Sequence, residues 1–389
     1  MQWTVREAIL SNTKFDRHFK EHGAAVYGRR SHWRSLHVDP ILVFLLLLLM
    51  GGGLVVLYSA SGKEFFYVKR QIMFMVVGLV AMAFVAQVSP RFLERWAWLP
   101  YLGGVALLIA VPLIGVGAKG AQRWIDLGAF RFQPSELMKI AVPLLLSSYL
   151  GSKILPPRFI HLLVAVVVLA IPAALVALQP DLGTAILLVT SGVFVVFLAG
   201  IKKIYLVVAA VGAMAAAPVM WFFVLHDYQK SRILTLLDPQ SDKLGAGWNI
   251  IQSTTAIGSG GLTGKGWLQG TQSHLEFLPE SHTDFIIAVL SEEFGLTGVL
   301  ILLGLYLLII LRGLIISLGA STMFGRLLAG SITLTFFVYI FVNMGMVSGL
   351  LPVVGVPLPM VSYGGTSIVT LLLGFGLLMS VGSGRNQIG

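Results

Sequence analysis

Ten apolar runs, most of them about twenty residues long and joined largely by short polar connections, leave this chain few folds to choose from. A bilayer's hydrocarbon core is about 30 Å thick and is crossed by roughly twenty residues of helix. Lipid offers no hydrogen bonds to a bare backbone, so each run must be helical. The runs cover residues 40–59, 71–88, 97–117, 134–151, 158–178, 183–201, 204–225, 283–316, 325–349 and 362–382. Composition agrees: 57% of the 389 residues are hydrophobic and 11% charged, against about a quarter charged in an ordinary soluble domain. Too little polar surface remains to coat a water-soluble particle. The expected architecture is an all-α integral membrane protein, a bundle of about ten transmembrane helices with a long external loop, 226–282, between the seventh and eighth. A basic tail (1–39) precedes the membrane domain (40–385), and a short end (386–389) follows it.

The net charge of +10 finds its explanation in topology. No soluble fold is available to present a basic patch to nucleic acid, so that class of partner is excluded. Counting Lys and Arg in short loops places the basic tail in the cytoplasm. The inside connections then carry Arg91 and Arg95, Lys153 and Arg158, Lys202 and Lys203, and Arg312 and Arg326. Both termini are expected on that side. Two outside connections break the rule with three basic residues each, those between the first and second runs and between the third and fourth. In the latter, Lys119, Arg123 and Arg131 call for an anionic partner or for attraction to lipid headgroups. The chain has no cysteine, which removes disulfides and thiolate chemistry.

The eighth run is too long for an upright crossing, since residues 283–316 would span about 50 Å as a helix. Gly295 and Gly298 offer a place to bend, and Ser291, Glu292 and Glu293 just before them do not belong against lipid. The external loop is expected to lack regular structure and to be functional. Its Gly264-Lys265-Gly266 lacks the Ser/Thr and the strand-to-helix setting of a phosphate loop. His274 and His282 lack further ligands at zinc spacing.

Asp284 stands where the external loop turns into the eighth run. It is either a first-turn carboxylate beside a Ser281 or Thr283 cap, or a general base at the mouth of a partly dry cavity. Glu136 and Lys139 share a helix face at the start of the fourth run. They are either a structural ion pair or the charged lining of a polar cavity. Arg232 is either a solvated loop charge or a phosphate contact.

The runs Gln122-Arg123-Trp124, Phe132-Gln133-Pro134-Ser135-Glu136, Gln179-Pro180-Asp181-Leu182-Gly183-Thr184, Leu237-Asp238-Pro239, Phe277-Leu278-Pro279-Glu280-Ser281-His282-Thr283-Asp284-Phe285 and Pro359-Met360-Val361-Ser362-Tyr363-Gly364-Gly365 together resemble the SEDS family of bacterial cell-wall polymerases. The resemblance extends from about residue 40 to 385. Leu237–Asp242 and Gly349–Pro359 are most similar to its elongation branch, although the N-terminal tail is nearer in length to the division branch. The resemblance implies a peptidoglycan glycosyltransferase that polymerises lipid II on the outer face of the inner membrane during elongation and rod-shape maintenance. It implies a class B penicillin-binding protein, a transpeptidase, as partner, and a divalent cation, Mg2+ or Mn2+, as cofactor. Asp284 becomes the catalytic carboxylate, with Arg123, Glu136, Lys139 and Arg232 supporting it and Lys119 among the outer basic residues that meet substrate. A lipid II flippase and a non-enzymatic scaffold for the transpeptidase are the alternatives.

Overall fold

The computed structural model describes residues 37–118, 121–126, 128, 131–225, 227–242, 245–271 and 280–383. Most of the basic tail, Lys119, His274, Leu278, Pro279 and the C-terminal end 386–389 lie outside the described residues. The ten expected helices are present: α1 (Pro40–Ala60), α2 (Phe65–Ala86), α4 (Trp98–Ile114), α5 (Pro134–Gly151), α6 (Phe159–Leu178), α7 (Leu182–Leu198), α8 (Lys203–Val219), α11 (Ile286–Leu318), α12 (Met323–Val347) and α13 (Gly365–Ser383). Six of them, α1, α2, α6, α11, α12 and α13, are long and apolar enough to cross a membrane unaided. The others are shorter or, like α5, carry charge, and they pack beside or continue into neighbouring elements.

Between α2 and α4 the chain forms a short helix, α3 (Pro90–Arg95). The connection from α4 to α5 folds into three antiparallel strands, β1 (Val116–Ala118), β2 (Ala121–Asp126) and β3 (Arg131–Phe132), in sheet order β1-β2-β3. The external loop is more ordered than its Gly, Ser and Thr content suggests. It contains α9 (Asp227–Leu237) and α10 (Ala246–Ser259). Helix α10 buries Ile250, Ser253 and Ala256 at helical spacing, and Ser253 donates to the Val347 carbonyl at 2.8 Å. Its stability therefore comes from packing on the bundle, which a polar composition hides.

Two large buried clusters divide the bundle, with a small third one of Leu187, Tyr339 and Val356 between α7 and α12. One joins α1, α2, α11, α12 and α13; the other joins α4, α5, α6 and α7. Helices α5 and α12 meet along the seam. Lipid-facing residues such as Phe84 and Ile171 stay exposed, as expected where lipid rather than protein covers them.

Helix α11 resolves the length problem by breaking. Gly295 takes φ 64° and ψ −161°, a conformation that essentially only glycine adopts. The external chain fills the break. Lys265 N donates to the Glu292 carbonyl and Gly266 N to that of Glu293, both at 3.0 Å, while Leu296 N and Thr297 N donate back to the carbonyls of Gly261 and Leu262. Backbone groups freed by the break are thus satisfied by protein, as lipid requires. The fully buried Glu292 accepts from Lys265 Nζ at 2.7 Å and from Thr271 N and Oγ1 at 2.8 and 2.9 Å. Glu293 accepts from the buried Ser59. A Cβ on Gly295 would collide with the Gly264 backbone nitrogen. Gly295→Ala is therefore expected to destabilise the protein by about 3 kcal/mol or more, read as a lowered midpoint of thermal unfolding in detergent.

Candidate active site

Sequence-distant segments converge on one cavity of about 490 Å3 at the end of the bundle where α11 begins. It is lined by Arg70 from α2, Arg123, Trp124 and Arg131 from the small sheet, and Glu136 and Lys139 from α5. Asp181 at the start of α7, Glu280, Thr283 and Asp284 before α11, Tyr339 from α12, and Tyr363 and the turn into α13 complete it. Asp284 is partly buried and faces this cavity rather than hydrocarbon or open water.

Of the two readings of Asp284, the first-turn carboxylate beside a Ser281 or Thr283 cap is not what forms. Helix α11 starts at Ile286, its cap residue Phe285 makes no side-chain hydrogen bond, Ser281 donates to the Ala60 carbonyl at 2.9 Å, and Thr283 donates to the carbonyl and carboxylate of Glu280 at 3.2 and 3.0 Å. The physical reason is the bend of residues 280–285 into a turn that docks on α1 and on the turn before α13. Tyr363 N donates to the His282 carbonyl at 2.9 Å. The fully buried Asn343 of α12 donates its amide to the carbonyls of Asp284 and Val356, at 2.9 and 2.7 Å. Asp284 is therefore held by tertiary contacts. Gly355 opposes it with φ 76°, and a Cβ there would sit 3.5 Å from Asp284 Oδ2, so glycine keeps the space beside the carboxylate open.

Glu136 and Lys139 satisfy both readings of their spacing. They form an ion pair with Lys139 Nζ 2.5 Å from Glu136 Oε1, each is 8% exposed, and both line the cavity. Lys139 also lies over the Tyr339 ring, 4.8 Å from its centroid, which spreads its charge across the seam between α5 and α12. Pro134 opens α5, where its missing N–H costs little and its fixed φ suits the first helical position.

Arg123 is partly committed to structure. It donates to the Gln179 carbonyl at 3.3 Å and to the Pro180 carbonyl, and stands 3.9 Å from Asp181. Asp181 caps α7 by accepting from Thr184 N at 3.3 Å and also accepts from Gln133 at 3.1 Å. These contacts tie strand β2 to the start of α7 and fix the basic wall of the cavity. Arg232 stands exposed on α9 and is not among the lining residues.

Sequence reasoning passed over Arg70, Asp181, Glu280 and Tyr363. Arg70 belongs to the surplus of positive charge outside the first two helices, the same signal that singled out Arg123. It hydrogen-bonds Tyr363. Tyr67, His282 and Tyr363 cluster beside it, with ring centroids 4.8 Å apart for Tyr67 and His282 and 5.3 Å for Tyr67 and Tyr363. Asp181 was visible only as part of a motif, because its role as cap and ion-pair partner depends on chain-distant residues.

Removing Lys139 would leave Glu136 buried without its cation. Lys139→Met should cost about 3–5 kcal/mol, and Glu136→Gln in the same chain should recover part of that loss in thermal unfolding. Burial lowers the pKa of His282 below its ordinary 6.5, against the opposing pull of Glu280 and Glu64. Below that value the unfolded chain binds the additional proton, so stability falls as pH drops from 6.5 toward the lowered pKa. His282→Asn should flatten that segment of the stability curve.

Comparison with known proteins bears on the same region. A family model for cell cycle proteins, covering FtsW, RodA and SpoVE, matches residues 40–387. The chain is 52% identical over 360 residues to the peptidoglycan glycosyltransferase MrdB of Escherichia coli K12, covering 92% of this chain and 97% of that protein. It is 38% identical over 339 residues to a probable peptidoglycan glycosyltransferase FtsW of Geobacter metallireducens, covering 84% and 89%. Its fold is similar to a chain solved in work on how a peptidoglycan synthase complex coordinates polymerization and crosslinking, with TM-score 0.80, 31% identity and coverage of 90% and 98%. The Thermus thermophilus rod shape determining protein RodA gives TM-score 0.69 at 29% identity, again covering 90% and 98%. With sequence and fold matching from the first span to the last, this chain belongs to the FtsW, RodA and SpoVE family, the SEDS proteins.

Proposed function

We propose that this protein is a peptidoglycan glycosyltransferase of the bacterial inner membrane that polymerises lipid II during elongation, with Asp284 as its general base. The observation that carries the mechanism is the meeting of a partly buried carboxylate with Arg70, Arg123, Arg131 and Lys139 around one cavity in a lipid-embedded bundle. Glycan extension has matching needs. A base takes the proton of the acceptor's 4-hydroxyl, the freed oxygen attacks the donor's anomeric carbon, and the bond from that carbon to the pyrophosphate oxygen breaks. Cationic groups then meet the negative charge of the departing lipid pyrophosphate.

In this reading Asp284 receives the proton. Arg70 supplies charge-assisted hydrogen bonds to phosphate, with Arg123, Arg131 and Lys139 adding positive potential from beside their carboxylate partners Asp181, Asp126 and Glu136. Arg232, exposed on α9, would meet the substrate from outside the lining. The carboxylates at the cavity do not form a group of three or more metal ligands among the described residues. A Mg2+ or Mn2+ ion is suited to such a site, because it accepts one or two carboxylates together with substrate phosphates and water. Glu280 at the rim would hold it, and the bound cation would neutralise pyrophosphate charge.

The site belongs on the outer face, with both termini cytoplasmic, because the basic loops cluster at the opposite end. The likeness to a synthase-complex chain supports a class B penicillin-binding protein, which crosslinks the strands, as partner.

The test is polymerisation of detergent-solubilised lipid II by the purified complex, where no flipping is needed. Asp284→Asn should lower the rate by about 10^2–10^4-fold while leaving the unfolding midpoint near that of the parent. A near-parental rate would remove Asp284 as base. Absence of any glycan from the parent complex, with lipid II bound, would instead favour a transporter or scaffold.

A further inference from the structure

A second large cavity lies at the other end of α5, about 530 Å3 in volume, bounded by Arg91, Glu94, Arg95, Leu145, Ser148, Tyr149 and Ser152. Glu136 starts α5 on the candidate-site side and Ser152 closes it, so the two cavities sit at opposite membrane faces. We propose that this second cavity, where the α3 guanidiniums of Arg91 and Arg95 confront α5 beside a belt of exposed aromatic rings, holds the phosphate headgroup of an anionic glycerophospholipid.

Arg91 and Arg95 are one helical turn apart, so their side chains leave α3 on the same face. Neither takes part in an ion pair among the described residues, and both are exposed. Planar guanidiniums suit a phosphate diester, which accepts parallel N–H bonds. The helix itself is anchored from both sides. Ser148 donates to the Glu94 carbonyl at 2.8 Å, and Phe92, Trp96 and Trp98 form a chain of rings with centroids 6.1 and 5.9 Å apart.

Those three rings are 54%, 41% and 46% exposed. Exposed tryptophans next to basic residues mark the headgroup level of a bilayer, which places the cavity at phosphate depth. The remaining charges nearby mostly agree in sign. Lys153 lies 5.3 Å from the Tyr149 ring centroid, and Tyr149 is hydrogen-bonded to His161 at 2.9 Å. Glu94 is the acidic group in the wall, and burial raises its pKa. Leu145 gives the cavity an apolar side toward the membrane interior, where an acyl chain would continue from the headgroup. Free phosphate would gain nothing from that wall or from the aromatic belt, so a lipid is the occupant the surroundings favour.

Native mass spectrometry of the full chain, delipidated and then exposed to phosphatidylglycerol or phosphatidylcholine, tests this. The wild type should retain phosphatidylglycerol in preference to phosphatidylcholine. The double substitution R91Q/R95Q should weaken that retention by about tenfold or more, whereas K202Q/K203Q, in another basic loop, should not. Ser152→Trp, which fills the cavity while keeping both arginines, should also lose the lipid. This second variant guards against misfolding of the first, and thermal unfolding should rise with phosphatidylglycerol only in proteins that retain it. Equal retention by wild type and both cavity variants overturns the site. Binding of inorganic phosphate that displaces phosphatidylglycerol completely overturns the lipid assignment.

Discussion

Lipid supplies no hydrogen bonds and screens no charge, and the arrangement of this protein follows from that poverty. A charged or bare polar group within the bundle must be met by another part of the chain. The Glu136–Lys139 pair shows the consequence: two opposite charges on one turn of α5 are stable there because each is the other's counter-ion and Tyr339 covers the cation. The pair also marks the seam where the two halves of the bundle meet, and the cavity opens along that seam.

The same requirement explains why the external chain is built into the membrane domain. Breaking α11 at Gly295 frees backbone groups, and segment 260–271 supplies partners for them as well as for the carboxylate of Glu292. The break keeps the first turns of α11 in protein rather than lipid, with Ile286 through Glu293 all buried. Asp284 thereby stands at the end of a rigid element, braced by Asn343 from α12. A reactive carboxylate placed this way is aimed before substrate arrives, and less of the binding energy must be spent ordering it.

Charge is divided between the two faces with different purposes. At the candidate-site end, Arg70, Arg123 and Arg131, from the two short outside connections that break the topology rule, gather around a cavity. At the other end, Arg91 and Arg95 sit where the topology rule expects them, yet also line a cavity of their own. A rule that counts charges cannot distinguish a residue that merely orients a helix from one that also faces a ligand-sized space.

Hydropathy by itself determined the long apolar helices, their approximate spans and the need for a bend near Gly295, because the bilayer fixes the length and satisfaction rules for each span independently. The shared face of Glu136 and Lys139 was equally legible, being a property of one helical turn. Tertiary structure alone decided that Asp284 is held by α12 and by the turn before α13 rather than by a local cap. It alone decided that Arg70 and Asp181 join the cavity, that Arg232 does not line it, and that part of the external loop is helical. Those outcomes depend on contacts between residues tens to hundreds of positions apart, and the energy of such a contact is set by how the spans pack, a quantity that no local pattern encodes.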